Sequence, residues 1–175
     1  MTATEAYESV THGGSSDFAA AVEILREHGP WCLIGGLAIN CYVEPVYTID
    51  ADIVLVASQL PAVAERLAAA GFFVQEFPHS LNAQRGAGRL SIQFTTDGRY
   101  QDFVGSATPA QVLELLVPVA SLENLVRGKV WAWSDKERRL SKRKKDELDL
   151  IRIAENYPQL RQMMPVEIVS QLEND

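Results

Sequence analysis

The sequence predicts an α+β fold, in which a mixed β-sheet is flanked by helices and followed by a helical C-terminal part. Two apolar stretches, WCLIGG and VEPVYTIDADIVLVA, have the composition of buried strands, and a glycine turn and a short helical segment separate them. More strand patterns follow, and from Ser121 onward the apolar spacing becomes helical. Strands followed by a run of helices are typical of α+β proteins.

The chain has 175 residues, of which 47% are hydrophobic and 22% charged. This length and composition suffice for one compact core. We predict a flexible N-terminus at residues 1–14, a sheet-containing core at 15–119, and a helical part at 120–175 packed on that core. The first segment is polar and contains a glycine pair, which is typical of a loose chain end.

In the first half of the core, apolar periodicity and turn residues define the elements. An amphipathic helix is predicted from Ser16 up to the stop signal Gly29-Pro30. The elements after it are a strand at WCLIGG (31–36), a helix at LAINCYV (37–43), a strand within 43–57, and an amphipathic helix at 59–70 with Gly71 as its C-terminal cap.

In the second half, the segments FFVQEF (72–77) and RLSIQFT (89–95) have strand composition. The segment between them, PHSLNAQRGAG (78–88), has turn residues and no period, so we expect an exposed loop. The run VLELLVPVA (112–120) fits a strand or a short helix, and Pro118 and the β-branched residues favour a strand near its end. Helices are predicted at SLENLVRGKVWAW, at KKDELDLIRIAENYP and at VEIVSQLE.

The overall charge argues against a protein that coats nucleic acid, because the formal net charge is −7 and the pI is near 5.0. The chain does not open with a signal-peptide pattern, and no apolar run approaches the roughly 20 residues that a bilayer-spanning helix needs. We therefore expect a soluble cytoplasmic protein without a membrane partner.

The acidic strand contains the first candidate site. Asp50 and Asp52 are two positions apart, so their side chains point to one face of a strand. Two carboxylates that face the same volume repel each other unless a cation lies between them, and Mg²⁺ or Mn²⁺ prefers such oxygen ligands. The alternative is a strand end at which both aspartates face water.

The glycine pair upstream of this strand strengthens the metal-site interpretation. Gly35 and Gly36 lie between a predicted strand and a predicted helix, where glycine lets the backbone approach a phosphate closely. The simpler interpretation is a tight turn. A phosphate-binding turn and a metal-binding strand, one short helix apart, together predict a site for a nucleoside triphosphate (NTP).

Two later segments add charged candidates. At helical spacing, Lys129 falls within an apolar stripe of the helix that begins at Ser121, so it either extends its stem to solvent or contacts the triphosphate or the acidic cluster. In KRKKDELDLI, Asp146 and Asp149 share a helix face. They are either surface charges or part of a catalytic cluster.

A basic run next to these helices is the candidate acceptor site. Between positions 127 and 145 the chain has nine Lys and Arg residues against two acidic ones, and Trp131 and Trp133 lie beside them. Basic groups follow phosphates and aromatic faces stack on bases, so we predict RNA binding, with tRNA as one candidate. The alternative is a solvated linker beside core tryptophans. The candidate RNA-binding residues are Arg138, Arg139, Lys142, Arg143 and Lys145.

These motifs resemble a known family. IGGLAIN followed by TIDADIVL resembles the glycine-plus-aspartate core of the DNA polymerase β-like nucleotidyltransferases. SLENLVRGKVWAW and KRKKDELDL are similar to the later motifs of the AbiEii-like branch, whose members are toxins of type IV toxin–antitoxin systems. The resemblance covers about residues 31–153 and identifies residues 15–119 as the nucleotidyltransferase core.

The resemblance implies transfer of a nucleotide from an NTP to an acceptor, in some members a tRNA 3′ end, and a cognate antitoxin as a partner. By position, Gly35 and Gly36 would contact phosphate, and Asp50 and Asp52 would bind the metal. Lys129 would contact the triphosphate. Asp146 or Asp149 would supply the C-terminal acidic motif.

Two positions depart from the family pattern. Many relatives have an arginine where this chain has Val46, and many have a third carboxylate where it has Gln93, which cannot act as a base. These departures favour an alternative function, an inactive binding or antitoxin-like module with the same fold. The intact Asp50 and Asp52 pair opposes it, and a purely structural interaction protein would leave the inward position of Lys129 unexplained.

Overall fold

Seven strands form one mixed sheet in the computed structural model, which describes residues 2–173. The order across the sheet is β3-β4-β5-β2-β1-β7-β6. The strands are β1 (Trp31–Ile34), β2 (Asp50–Leu55), β3 (Phe72–Phe77), β4 (Ser80–Arg85), β5 (Ser91–Thr95), β6 (Thr108–Val112) and β7 (Leu115–Val119). The predicted α+β fold class is thereby confirmed.

The helices lie around this sheet and make up the C-terminal part. They are α1 (Ala3–Thr11), α2 (Gly14–Arg26), α3 (Gly35–Ile39), α4 (Leu60–Ala69), α5 (Leu122–Ser134), α6 (Leu140–Asn156) and α7 (Val166–Leu172). Short 3₁₀ helices span Ala57–Gln59, Gly98–Ser106 and Pro158–Met163. None of the helices in residues 2–173 has the length and apolar character that crossing a bilayer requires.

The centre of the sheet is buried and fixes the position of β2. This strand runs antiparallel to β1 and parallel to β5, and its residues Ala51, Ile53 and Val54 are fully buried. Phe94 and Phe103 are also fully buried and belong to the same core. Because β2 has a neighbour on each side, its polar residues are held in a fixed register.

The C-terminal helices contact the core through side chains as well as by packing. The Tyr42 hydroxyl donates to the backbone carbonyl of Ala120, and the Tyr157 hydroxyl donates to the carbonyl of Tyr42, both at 2.9 Å. Leu125, Val126, Leu150 and other apolar residues of α5 and α6 are buried in the common core. The shared core therefore fixes α5 and α6 against the sheet that contains β2.

The N-terminal segment differs from the expectation of a loose start. Residues 3–11 form α1, whose capping box joins the Thr2 hydroxyl to the Glu5 amide and the Glu5 carboxylate to the Thr2 amide. Tyr7 is buried and packs with the core. Thr2 and Glu5 form the sequence signature T-x-x-E of a capping box, which indicates a helix start. Met1 lies outside the described residues.

The segment at 78–88 was predicted as an exposed loop, and this was wrong. Most of it forms β4, which pairs with β3 through a tight turn at Pro78-His79 and with β5 on its other side. Leu81 and Ala83 are buried while Asn82 and Gln84 point the other way. This alternation is a strand signal, but the small and polar residues around it obscured it.

Two further elements have bounds that differ from those expected. The strand predicted within 43–57 is limited to Asp50–Leu55. The run at 112–120 contains the end of β6, a turn and β7. The turn residues Leu113 and Glu114 have φ of 47° and 66°, the left-handed geometry of a tight hairpin that usually takes Asn or Gly. With neither residue present, the sequence lacked a hairpin signal there.

Candidate active site

The acidic strand places its two carboxylates side by side at the surface of a cavity. Asp50 and Asp52 alternate in β2 with the buried Ala51 and Ile53, so both point away from the core. Asp52 lies opposite Ile34 of β1 and next to Gln93 of β5 in the strand register. The shared face that the alternation predicts is therefore present.

The glycine turn makes room for one of these carboxylates. Gly35 has φ of +72°, in the left-handed region, and a Cβ built on it would lie 2.1 Å from Oδ2 of Asp52. Any side chain at position 35 would displace the Asp52 carboxylate. At Gly36 the space is ordinary, since a Cβ would lie 3.4 Å from the Thr48 hydroxyl oxygen.

The two aspartates of β2 differ in their partners. Asp50 accepts from Nζ of Lys142 at 3.0 Å. The Asp52 carboxylate has no hydrogen bond or ion pair with any residue in the described range 2–173. Burial, partly opposed by the positive charge of Lys129, raises the pKa of Asp52 to about 6. Burial of a carboxylate that no described residue pairs with is energetically costly.

The second pair of aspartates is fully engaged. Nζ of Lys129 lies 2.8 Å from Oδ1 of Asp146 and 2.8 Å from Oδ2 of Asp149. Arg138 donates to the other oxygen of Asp146 at 2.8 Å, and Arg152 donates to the other oxygen of Asp149 at 2.9 Å. The aspartate side chains are only 2% and 5% exposed. These five residues form a continuous chain of alternating charges, which we call the ion-pair chain.

Lys129 lies on the inward side of α5, where the sequence places it, with 13% of its side chain exposed. Burial opposes its charge, but the attraction of Asp149 and Asp146 outweighs burial and raises the pKa of the ammonium. Lys129 is therefore charged, and it links α5 to α6 while also lining the cavities next to Asp52.

Two adjoining cavities, of about 230 and 120 Å³, open around Asp52. They share Asp52, Gln93, Lys129, Arg138 and Asp146, whereas Asp149 lines neither. The larger cavity has aromatic and aliphatic walls that include Phe94, Tyr100, Phe103 and Leu125. The smaller cavity is strongly charged and adds Gly36, Thr48, Asp50, Lys142 and Lys145.

The basic residues predicted to bind RNA are divided by the structure. Arg138, Lys142 and Lys145 line the smaller cavity, and Nζ of Lys145 lies 3.4 Å from the Thr48 hydroxyl. Arg143 donates to the backbone carbonyl of Trp133 at 2.9 Å. Arg139 is exposed at the start of α6. Three of the five cations thus face the proposed triphosphate site.

The tryptophans next to the basic run are engaged within the protein. Trp131 stacks on Phe103 and meets Tyr100 edge to face, and Arg99 and Arg127 lie over its ring. Trp133 donates from its indole nitrogen to Glu147 at 2.8 Å. The ring of Trp131 is therefore covered within the protein, and Trp133 is partly buried against the core.

The two departures from the family pattern have different surroundings. Val46 is exposed in the loop before β2, and its backbone is bonded in both directions to the side chain of Asn40. Gln93 lies next to Asp52 and lines both cavities. At this position, where the resemblance implies a third carboxylate, the chain has an amide.

Sequence reasoning missed the role of Lys142 and Lys145 in the site. The contact from Lys142 to Asp50 spans 92 positions, and no local pattern reveals it. A signal was nevertheless available, because Lys142, Lys145 or Asp146, and Asp149 recur at intervals of three or four on α6 and so share one helix face.

The residues present fit a divalent cation shared with a ligand. Asp50 and Asp52 provide oxygen donors on one face, and the space above Gly35 lets the unpartnered Asp52 carboxylate reach the cavity. Within residues 2–173, no group of three or more His, Cys, Asp or Glu side chains is arranged to hold a metal ion. Two carboxylates leave several coordination positions for phosphate oxygens and water.

No family model matches the sequence, and no curated protein matches it either. Among solved structures, the antibiotic-resistance factor ANT(2″)-Ia in complex with adenylyl-2″-tobramycin is similar with a TM-score of 0.58 at 16% identity, covering 89% of this chain and 94% of that one. The lincosamide antibiotic adenylyltransferase LnuA, with lincomycin bound, gives 0.53 at 12% identity, covering 77% and 94%. JHP933 from Helicobacter pylori gives 0.54 at 15% identity, covering 94% and 73%.

At these identities the likeness concerns the fold. The narrower AbiEii-like resemblance stays a prediction. The chain has the fold of the nucleotidyltransferases.

Proposed function

We propose that this protein is a Mg²⁺-dependent nucleotidyltransferase that moves a nucleotide from an NTP to an acceptor hydroxyl. The observation that carries the proposal is the Asp52 carboxylate, which has no hydrogen bond or ion pair within residues 2–173 and faces a cavity lined by four cations. The cations are Lys129, Arg138, Lys142 and Lys145. An unpaired carboxylate among cations is expected where a metal and a polyanion bind together.

The smaller cavity supports binding of the triphosphate. A triphosphate has about four negative charges near neutral pH, and charge-assisted hydrogen bonds from lysine and arginine are the strongest that side chains offer to phosphate. When bound, a Mg²⁺ or Mn²⁺ ion held by Asp50 and Asp52 would neutralise phosphate charge that two carboxylates alone would repel. Gly35 keeps the Asp52 carboxylate in place for this role.

The transfer step follows from this placement. The acceptor oxygen forms a bond to the α-phosphorus, the bond from that phosphorus to the bridging oxygen of the β-phosphate breaks, and pyrophosphate leaves. The acceptor proton passes to a carboxylate. Asp146 faces both cavities, but ion pairs with Lys129 and Arg138 hold both of its oxygens. It becomes the candidate when one of these cations moves to the triphosphate, because Gln93 cannot take a proton. Asp149 lines neither cavity and serves as the inner anchor of the ion-pair chain.

The larger cavity supports an acceptor that inserts one ring-sized group. Its volume of about 230 Å³ is below the usual range of drug-sized sites, roughly 300–1,000 Å³. Its aromatic walls suit a planar or sugar ring. Both the terminal nucleotide of an RNA such as tRNA and a small hydroxylated compound meet this requirement. The resemblance also implies a toxin role with a cognate antitoxin. Comparing growth of cells that express the wild type with growth of cells that express Asp52→Asn tests that role.

A second candidate function is an inactive binding module with the same fold. Gln93 beside Asp52 favours it, because the site then lacks a third carboxylate. In that case metal and triphosphate would bind without transfer.

The test is incubation with Mg²⁺, each NTP labelled at the α-phosphate, total RNA, and a mixture of small hydroxylated acceptors. We expect label in one acceptor fraction, lost with EDTA and in Asp52→Asn, and retained in Glu23→Gln, which alters an exposed pair with Arg26 on α2. Triphosphate binding without label transfer would establish the inactive module. Absence of both metal-dependent binding and transfer would contradict the proposal.

A further inference from the structure

Lys142 makes a contact that the reaction scheme leaves unexplained. Its Nζ lies 3.0 Å from Oδ2 of Asp50 and ties α6 to β2. Unlike Lys129 and Arg138, which both pair with Asp146, Lys142 makes its one ion pair with a proposed metal ligand. The Lys142 side chain is 39% exposed and the Asp50 side chain 17%, so the pair lies at the mouth of the smaller cavity.

This contact places a positive charge on the oxygen that would bind the metal. An ammonium 3 Å from Oδ2 and a divalent cation coordinated to the same oxygen would repel each other strongly. Lys142 must therefore leave Asp50 before a metal ion can be coordinated by both carboxylates. In the metal-free protein it offsets the charge of Asp50, whereas Asp52 stays without a partner.

A destination for the released ammonium lies in the same cavity. Lys142 has a flexible four-carbon stem and acts as a mobile point charge. Arg138 and Lys145 line the same cavity as Lys142. In the loop before β2, where many relatives have an arginine, this chain has the exposed Val46. Helix α6 thus supplies positive charge that the loop before β2 lacks.

We propose that Lys142 is an NTP phosphate-binding residue that is held on Asp50 in the empty site and transfers to the triphosphate as the metal takes its place. This rests on the proposed function and reassigns a residue that the basic run would otherwise give to RNA. Its consequence is coupling: metal and triphosphate each favour the same displacement of Lys142, so each strengthens binding of the other.

The first experiment measures Mn²⁺ by electron paramagnetic resonance, alone and with inorganic tripolyphosphate, which avoids choosing a nucleobase. In Lys142→Met, Mn²⁺ alone should bind about three- to fivefold more tightly, the range expected for loss of a partly exposed ion pair. Binding of Mn²⁺-tripolyphosphate should weaken about tenfold, through loss of a charge-assisted bond. Lys144→Met is the matched control, because Lys144 is on the same helix and, among the residues that the structure describes, pairs with Glu147 alone.

The opposite signs separate this role from a structural one, which would weaken both ligands together. A second experiment uses Asp50→Asn without metal, in which the freed Lys142 should raise tripolyphosphate affinity. In the double variant with Lys142→Met that gain should be lost, and the cycle isolates the lysine from the general change in charge.

The outcomes distinguish this inference from the proposed function. If the wild type binds Mn²⁺-tripolyphosphate through Asp52 while Lys142→Met alters neither affinity, or weakens both, the role of Lys142 is overturned and the nucleotidyltransferase proposal stands. If Asp52→Asn binds Mn²⁺-tripolyphosphate as the wild type does, both are overturned.

Discussion

Two pairs of aspartates, one on β2 and one on α6, have opposite surroundings. Asp146 and Asp149 use all four carboxylate oxygens in ion pairs with Lys129, Arg138 and Arg152, at 2.8–2.9 Å. On β2, Asp50 has a single pair with Lys142 and Asp52 has none within the described residues. The saturated pair stabilises the joint between α5 and α6, whereas the unsaturated pair is arranged for a ligand.

This difference concerns energy as well as geometry. A buried carboxylate without a partner lowers the free energy of unfolding. For a carboxylate held by two cations, the free energy of unfolding falls when one member of the ion-paired group is removed, because the others are left buried and unpaired. The same mutation, aspartate to asparagine, should therefore have opposite effects on stability at the two pairs. The predictions below test that contrast, beginning with the largest effect.

Asp149→Asn should lower the free energy of unfolding by about 3 kcal/mol, because it leaves Lys129 and Arg152 buried with less compensating charge. Chemical denaturation at pH 7 measures the change. Glu155→Gln, at an exposed position of the same helix, is the control and should stay within about 0.5 kcal/mol of wild type. A loss as small as that of the control would show that the ion-pair chain does not stabilise the joint.

Gly35→Ala should lower the free energy of unfolding by about 1–2 kcal/mol, because alanine is disfavoured at φ of +72°. It should also abolish metal-dependent binding of tripolyphosphate, since the new Cβ displaces the Asp52 carboxylate. Calorimetry with Mn²⁺-tripolyphosphate measures this. Gly105→Ala has open space at its Cβ and serves as the control. Unchanged binding in Gly35→Ala would mean that Asp52 need not occupy this position.

The pH dependence of the free energy of unfolding should reveal the cost of burying the charged Asp52 carboxylate. Its folded-state pKa of about 6 lies above the ordinary value near 3.8, so the folded protein binds this proton more tightly. The carboxyl therefore contributes stability below about pH 4, and that contribution is lost as the pH rises through 6. Its size is about 1–2 kcal/mol, reduced by water in the adjoining cavity.

The measurement is the difference in unfolding free energy between wild type and Asp52→Asn, followed from pH 7 to pH 4. The wild type should gain relative to the variant as the pH falls. A difference that stays constant across this range would show that Asp52 has an ordinary pKa.

The smallest effect is expected on the outer face of the basic run. Arg139→Glu should reduce binding of a short RNA by less than about threefold at low salt, because an exposed charge contributes little by itself. Lys145→Glu should have a much larger effect on triphosphate binding, since Lys145 lines the smaller cavity. Filter binding and calorimetry provide the two readings. A large loss of RNA binding in Arg139→Glu would instead support the prediction that the whole basic run binds RNA.

The sequence was sufficient for the parts of the site that depend on local pattern. Alternation in β2 placed Asp50 and Asp52 on one face, and helical spacing placed Lys129 inward. The helix that the apolar spacing predicts from Ser121 onward is present as α5, and the Ser121 side chain caps it by accepting from the Asn124 amide. Each of these follows from forces between residues that are close in the chain.

The remainder depends on contacts between distant segments. Whether a cation of α6 meets RNA, solvent or Asp50 is decided by how α6 packs on β2, and the pair of Lys142 with Asp50 joins residues 92 positions apart. The saturation of Asp146 by both Lys129 and Arg138 is likewise a result of packing. Strand β4 was not predicted for a related reason, since only Leu81 and Ala83 are buried and the pairing with β3 and β5 defines the strand.

The most direct test compares Asp52→Asn with the wild type in thermal unfolding at pH 7, with and without Mg²⁺ and tripolyphosphate together. Ligand that binds only the folded state raises the unfolding temperature. We expect the variant without ligand to be as stable as the wild type or more so, and to gain nothing when ligand is added, whereas the wild type gains stability. A variant that unfolds at a lower temperature without ligand, or that the ligand stabilises as it does the wild type, would contradict the assignment of Asp52 as a ligand-binding carboxylate.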